Sequence, residues 1–274
     1  MSEKSAVPDV QSVDVCLLLE GTWPYVRGGV SSWINQLILG LPELTFSVLF
    51  IGGQKEAYGK RHYAIPDNVV HVQEHFLEDA WSSIPTTSTR ASAELAELML
   101  DVHRFLHNPE EPSAEQGDAF VDTLAAGRIG REAFLQSRAS WDAIVDGYTQ
   151  HCADPSFVNY FWTLRSMQAP LFMLAEVSRT LPRARMLHSI STGYAGMLGS
   201  VLQRRWGCYY LLSEHGIYTK ERKIDLYQNE WIRDNRNVFQ KDASELSYFR
   251  QLWIRFFEWL GRLTYGAADP IIAL

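Results

Sequence analysis

Three cysteines, Cys16, Cys152 and Cys208, are all that the 274 residues contain, and no two of them form a C-x-x-C pair. An odd count without paired spacing argues against a disulfide framework and a cysteine zinc site, and fits a reducing compartment. No N-x-S/T acceptor sequence occurs. No apolar run approaches the roughly 20 residues that span a bilayer. Met1 to Asp14 is polar and lacks the apolar core of a signal peptide. A basic excess is missing as well: the formal net charge is -7, and the longest cationic cluster, Lys220 to Lys223, is broken by Glu221. Nucleic-acid binders carry a basic face or stripe, so no nucleic-acid partner is expected. The expected setting is cytoplasmic and non-integral, with room for peripheral attachment to an inner-membrane complex.

Several catalytic signatures are also missing. There is no G-x-G-x-x-G, which counts against an NAD-dependent enzyme, and no P-loop. Without a G-x-S-x-G elbow, a serine hydrolase has no support. His71-Val72-Gln73-Glu74-His75 spells H-x-x-E-H, but that zinc chemistry needs both histidines on one helix face. Here the preceding Val69-Val70 and the apolar alternation predict a strand. No internal repeat or low-complexity tract is present.

What is there reads as alternating strands and helices. Hydrophobic residues make up 46% of the chain and charged ones 21%, enough apolar content for a sizeable core. Residues 13–20 (VDVCLLLE) form an apolar run suited to a strand buried on both faces of a parallel sheet. A turn with Pro24, Gly28 and Gly29 follows. Val30, Trp33, Ile34, Leu37, Ile38 and Leu41 then recur at helical spacing, up to Pro42. Residues 45–51 predict a second strand and Val69 to Gln73 a shorter third one. From about residue 77 to 181 the pattern is mostly helical, which predicts a helical insertion. Within it Leu95, Leu98, Met99, Val102 and Leu106 make one stripe, and Trp141, Ile144, Val145 and Tyr148 another. Asn108 to Asp118 is expected to be a loop, and Phe157 to Val177 a buried helix bent near Pro170. Strands are expected again at 184–189 and 209–214, with a helix over 192–206 between them. Leu246 to Leu260 predicts a long aromatic-rich helix, and ADPIIAL a last strand. Residues 1–12 are expected to be a flexible lead. The alternation predicts an α/β fold with a Rossmann-like, doubly wound parallel sheet.

Three polar clusters fall at predicted strand ends, where open α/β sheets bind ligands. The first is Glu20 to Val30. Its Gly28 and Gly29 either let a diphosphate approach the following helix N-terminus or simply make the turn. The second is Ser213-Glu214-His215-Gly216-Ile217-Tyr218, followed by Lys220 and Arg222. An acid beside an imidazole can orient a sugar hydroxyl or move a proton; otherwise the segment is a helix start with a loop histidine. The third is His188-Ser189 before Ser191-Thr192-Gly193-Tyr194. Here His188 is a core, capping or functional residue, and Ser189 or Ser191 offers a helix cap.

Four segments carry a family resemblance: LLLEGTWPYVRGGVSSWINQLILGLPELTFSVLFIGG, LHSISTGYAG, SEHGIYTKERKIDL with EWI after it, and ADPIIAL. In that order they resemble the N-terminal half of the Pel-type exopolysaccharide glycosyltransferases, members of glycosyltransferase family 4 with the GT-B fold. The resemblance implies transfer of a hexose from a UDP-sugar to a growing polysaccharide, with retention at the anomeric carbon and no metal or other cofactor. It implies that His215 and Glu214 serve catalysis. Gly28 and Gly29 would face the donor diphosphate, while Tyr25, Arg27, His188, Tyr218, Lys220 and Arg222 would contribute to donor or substrate binding. The donor-binding C-terminal domain of that family finds no room after Leu274. The chain is therefore expected to be an acceptor-side half enzyme, inactive alone, with its C-terminal domain supplied in cis or in trans. The alternative is a non-catalytic module docking on a membrane polysaccharide synthase complex through its helical insertion and last helix.

Overall fold

The computed structural model describes residues 12–81, 102, 105–107, 114–127, 130–154, 156–228 and 248–273. Its strands are β1 (Val13–Glu20), β2 (Phe46–Gly52), β3 (Val69–Phe76), β4 (Ala184–Ser189), β5 (Tyr209–Glu214) and β6 (Ile271–Ala273). Its helices are α1 (Gly29–Gly40), α2 (Ala114–Ala126), α3 (Arg131–Gln136), α4 (Arg138–His151), α5 (Phe157–Val177), α6 (Tyr194–Trp206), α7 (Tyr218–Gln228) and α8 (Tyr248–Ala267). The strands pair in parallel in the order β3-β2-β1-β4-β5-β6. The chain works outward from β1 in one direction, then returns to its other side. That order is the doubly wound, Rossmann-like arrangement, with the switch point between β1 and β4.

The central strand shows why the sheet is buried on both faces. Leu17, Leu18 and Leu19 are all fully buried. Successive side chains point to opposite faces. Leu17 and Leu19 therefore pack with Ile34 and Ile38 of α1, while Cys16 and Leu18 join the larger core under α5, α6 and α8. Each such leucine contributes roughly 1.5–3 kcal/mol on leaving water. At the end of α1 Leu41 N–H bonds the Ile38 carbonyl at 3.4 Å, and Asn68 adds a second donor: its Nδ2 donates to the carbonyls of Ile38 and Leu41 at 3.0 and 3.1 Å. α6 ends on Gly207 in the left-handed region, with Arg204 and Arg205 in its last turn.

The parallel α/β class stands, and most element positions agree with the sequence reading. The differences are local. β3 continues three residues past Gln73 to Phe76, because its backbone keeps pairing with β2 as far as Gly52. The H-x-x-E-H spelling thus lies on a strand. The expected loop Asn108 to Asp118 is helical from Ala114 onward: one face of that helix buries Phe120, Val121 and Leu124, which repay the ordering of an acidic stretch. The helix expected from residue 192 starts at Tyr194. Pro170 sits inside the continuous helix α5. The flexible lead over residues 1–11, Leu95, Leu98, Met99, residues 108–113, the EWI segment and Leu246 lie outside the described residues. Val102 and Leu106 of the first stripe are buried. α8 is core: Phe249, Leu252, Phe256 and Leu260 are buried against the sheet's helical side. The three cysteines are free.

Candidate functional site

The carboxyl ends of β1, β4 and β5 bring together Glu20, the segment Ile190 to Gly193, and Ser213 to His215. The loop leaving β1 is firmly anchored. Gly21 has φ +62, a backbone conformation that favours glycine. Trp23 is fully buried and its Nε1 donates to Asn35 Oδ1 at 3.3 Å. The carbonyl of Pro24 accepts from His62 N–H at 2.8 Å. Gly28 and Gly29 have no such duty. Gly28 is extended, with φ 167, and a β-carbon on either residue would meet nothing within 4 Å. The turn therefore needs Gly21, whereas the space beside Gly28 and Gly29 is open.

Two helix N-termini face the switch point, and they differ. Neither has a side-chain cap from its own first residues. At α6, Glu20 does the work from across the sheet: its Oε2 accepts from Ala195 N–H at 3.2 Å. Its Oε1 accepts from Tyr218 Oη at 2.7 Å, and Arg222 Nη2 stands 4.0 Å away. Arg222 Nε in turn donates to Tyr218 Oη at 3.0 Å, and its guanidinium lies over the Tyr218 ring. Burial, then the neighbouring Glu20, push the Tyr218 phenol well above its ordinary range. The positive end of α6 is thus already neutralised by a carboxylate, while that of α1 is left open beside Gly28 and Gly29.

On the α1 side, His215 and His188 both stand against Trp33, edge to face, with ring centroids 4.6 and 5.8 Å away. His188 is buried and its Nε2 lies 2.9 Å from Ser213 Oγ. Burial, then His215, lower its pKa to about 4, so it is neutral at pH 7. Burial also lowers that of His215. The Nε2 of His215 is shielded from solvent and has no hydrogen-bond partner, and Thr22 Oγ1 at the start of the β1 loop is in the same condition. Buried polar atoms without partners cost free energy, and atoms placed at a ligand edge recover it when a ligand supplies the partner.

The expected site residues divide accordingly. His215 and His188 share one wall with Trp33. Glu214, the last residue of β5, turns to α8, where its Oε1 accepts from Tyr265 Oη at 2.6 Å, whereas His215 lies just past the strand and packs on Trp33. Tyr218 and Arg222 join Glu20. Tyr25 packs on Phe50 and Tyr58; burial raises its pKa, and of the neighbouring ion pair Glu74 raises it further while Arg61 lowers it. Arg27 and Lys220 are exposed. Neither serine caps α6: Ser189 Oγ bonds Tyr210 Oη at 2.8 Å, and Ser191 Oγ donates to Glu20 Oε2 at 3.5 Å. Glu20 heads the first polar cluster, but sequence reasoning gave it no role of its own. Its signal is an acid closing an otherwise apolar strand at the switch point.

Gly193 shows how tightly this network is drawn. A β-carbon there would come within 2.5 Å of Tyr218 Oη and 2.7 Å of Glu20 Oε2. Gly193→Ala is expected to lower unfolding stability by about 1–3 kcal/mol, the usual cost of overpacking. A urea midpoint equal to that of the parent chain would show that the network relaxes freely.

A Rossmann-like α/β domain whose polar residues gather at the β1–β4 switch point is the class these features define. The model of a domain family described as a domain of unknown function (DUF3492) matches residues 13–274, and the chain belongs to that family. The domain is found in glycosyltransferase-like proteins of the family 4 type. Neither curated proteins nor solved structures give a match. Among the described residues no group of three or more His, Cys, Asp or Glu is arranged to hold a metal ion, and no helix is long and apolar enough to cross a membrane.

Proposed function

We propose that this chain is the N-terminal, acceptor-side half of a retaining, UDP-sugar-dependent hexosyltransferase for exopolysaccharide synthesis of the Pel type. The observation that carries the reading is the open N-terminus of α1 beside a neutral His215 whose Nε2 lacks a partner. The donor diphosphate lies against Gly28 and Gly29, where backbone N–H groups and the helix dipole favour negative charge. His215 Nε2 bonds a hydroxyl of the transferred sugar. The acceptor hydroxyl attacks the anomeric carbon on the face that UDP leaves. The bond to the diphosphate oxygen breaks as the new glycosidic bond forms, and the hydroxyl proton passes to the departing diphosphate. Glu20, Tyr218 and Arg222 hold the wall of the crevice, and a C-terminal domain in cis or in trans closes it around the nucleotide.

Calorimetric titration of UDP, UDP-glucose and UDP-N-acetylgalactosamine, with and without a matching C-terminal half, tests this. Binding that appears or tightens strongly only with both halves is expected. No binding in either case, with both halves folded, would reject the proposal. Within the complex, Gly28→Ala and Gly29→Ala are expected to leave stability unchanged or slightly raised, since the added methyl meets open space. UDP-sugar affinity should nonetheless fall at least tenfold, roughly 1.4 kcal/mol or more. Unchanged affinity would make the two glycines a plain turn.

A second reading, a non-catalytic module docking on a membrane polysaccharide synthase complex, is favoured by one feature. Trp141, Val158 and Trp162 are exposed on α4 and α5, with Trp141 packed on Phe157 and Phe161. Exposed aromatic patches of this sort mark interaction surfaces. The aromatic side chains Phe249, Trp253, Phe256, Phe257 and Trp259 of α8 are buried and are not part of this patch.

A further inference from the structure

Arg165 lies inside α5 and is only 3% exposed. Its guanidinium stands over two aromatic rings, with Cζ 4.8 Å from the Phe134 centroid and 5.3 Å from that of Phe161. Among the described residues its hydrogen bonding is a single contact: Nη1 donates to the carbonyl of Phe134 on α3 at 2.6 Å. A guanidinium carries five N–H donors, so most of that capacity is unused. Burial alone lowers its pKa, to about 10, with no carboxylate acting on it. The group therefore stays cationic at pH 7, and a buried cation without a counter-charge is costly.

Gln168 follows three residues later in α5, a spacing that puts it on the same helix face. It is 1% exposed, and both Oε1 and Nε2 are shielded from solvent without a hydrogen-bond partner. Whichever way the amide is turned, one acceptor and one donor group go unused. One turn further, Phe172 stacks on Phe134, with centroids 4.4 Å apart, so the pair lies where α5 packs against α3. The other buried positions around them, Leu164, Met167 and Leu171, are apolar, as packing of a core helix requires. Packing alone gives no reason for a cation and an amide here, and each buried polar atom without a partner calls for one.

The two side chains together define one ligand chemistry. Arg165 needs a negative charge and acceptor oxygens. Gln168 Nε2 needs an acceptor, and Gln168 Oε1 needs a donor. Carboxylate and sulfate ions only accept. A phosphate monoester, with its second pKa near about 6, has largely lost its proton by pH 7. Inorganic phosphate at pH 7 is an anion that still carries at least one O–H, so it meets all three needs. We infer that Arg165 and Gln168 bind inorganic phosphate between α3 and α5. The guanidinium and Gln168 Nε2 donate to its oxygens, and Gln168 Oε1 accepts from its hydroxyl.

Equilibrium dialysis of the whole chain against radiolabelled phosphate at pH 7 is expected to show one saturable site per chain. Phosphate at roughly a hundredfold excess over Kd should raise the thermal unfolding midpoint by about 5 °C. Sulfate stabilises folded chains in general by exclusion from their surface, so it sets the baseline and should give less than half that rise. Sulfate and glycerol 3-phosphate should each displace the label at least tenfold less well than unlabelled phosphate. Arg165→Met and Gln168→Leu, close in volume to the parent residues, should each weaken phosphate at least tenfold. Without phosphate both should unfold at the parent midpoint or above it, because apolar atoms replace polar ones that lack partners. No saturable binding to the parent chain, or unchanged affinity in both variants, would overturn the inference. So would a midpoint well below the parent's for both variants in phosphate-free buffer, since the two side chains would then be satisfied within the fold. Equal competition by sulfate would overturn the role given to the phosphate proton, and equal competition by the ester would overturn the choice of free phosphate.

Discussion

Glu20→Ala is expected to lower unfolding stability by on the order of 3 kcal/mol, since it leaves the shielded donors Tyr218 Oη and Ala195 N–H without partners at about 1–3 kcal/mol each, besides the long bond from Ser191 Oγ. The Glu20 side chain is only 9% exposed. Tyr218 Oη and Ala195 N–H both give it their hydrogens. Arg222 cannot replace it for either donor, because a guanidinium has no acceptor. Loss of the carboxylate also uncovers the positive end of α6, worth a further few tenths to 1 kcal/mol. Glu20→Gln keeps one acceptor oxygen and nearly the same volume, so its loss should be well under half that of alanine. Urea denaturation of the three chains at pH 7 provides the comparison. An alanine loss below about 1 kcal/mol would mean that the network does not hold β1, α6 and α7 together.

Acid is expected to destabilise the fold through His188. Its folded pKa of about 4 lies below the ordinary 6.5, so the folded chain refuses a proton that the unfolded chain accepts between those values. Stability therefore rises with pH across that window and is lost as pH falls through it. Over about 2.5 pH units the contribution reaches roughly 3 kcal/mol, at about 1.36 kcal/mol per unit. Burial is the main cause and the nearby His215 the second; Ser213 and Trp33 also face the ring and carry no charge. His188→Asn removes the titration. Between pH 7 and pH 4 the parent chain should lose roughly 3 kcal/mol more than this variant in urea unfolding. Parallel curves for the two chains would mean that the imidazole protonates in place. His215, whose pKa burial also lowers, adds a change of the same sign in both chains.

Much of this architecture was legible in the residues. VDVCLLLE, ARMLHS and YYLLSE coincide with β1, β4 and β5 at both ends, because runs buried on both faces are bounded sharply by polar or turn residues. The helical start at Ala114 was not legible. Its stability comes from docking Phe120, Val121 and Leu124 into the core, and local composition there favours a loop. Gly28 and Gly29 looked like the turn-makers, yet Gly21 carries the positive φ. A glycine's backbone angle depends on where the anchored loop must go, and Trp23 and Pro24 set that path.

The sequence by itself determined the class of the protein: alternating buried strands and amphipathic helices admit few solutions other than a parallel sheet with covered faces. It also put the polar clusters at strand ends, since polar residues interrupt apolar runs only where the chain leaves the core. Tertiary structure alone decided which of those residues meet. The end of β5 sent Glu214 to Tyr265 and the bend after it brought His215 to Trp33, and parallel pairing of β1 with β4 brought Glu20 to the start of α6, 175 residues away. That contact neutralised one helix terminus and left the other open. Charge at a site depends on distance through space, which the order of residues along a chain does not contain.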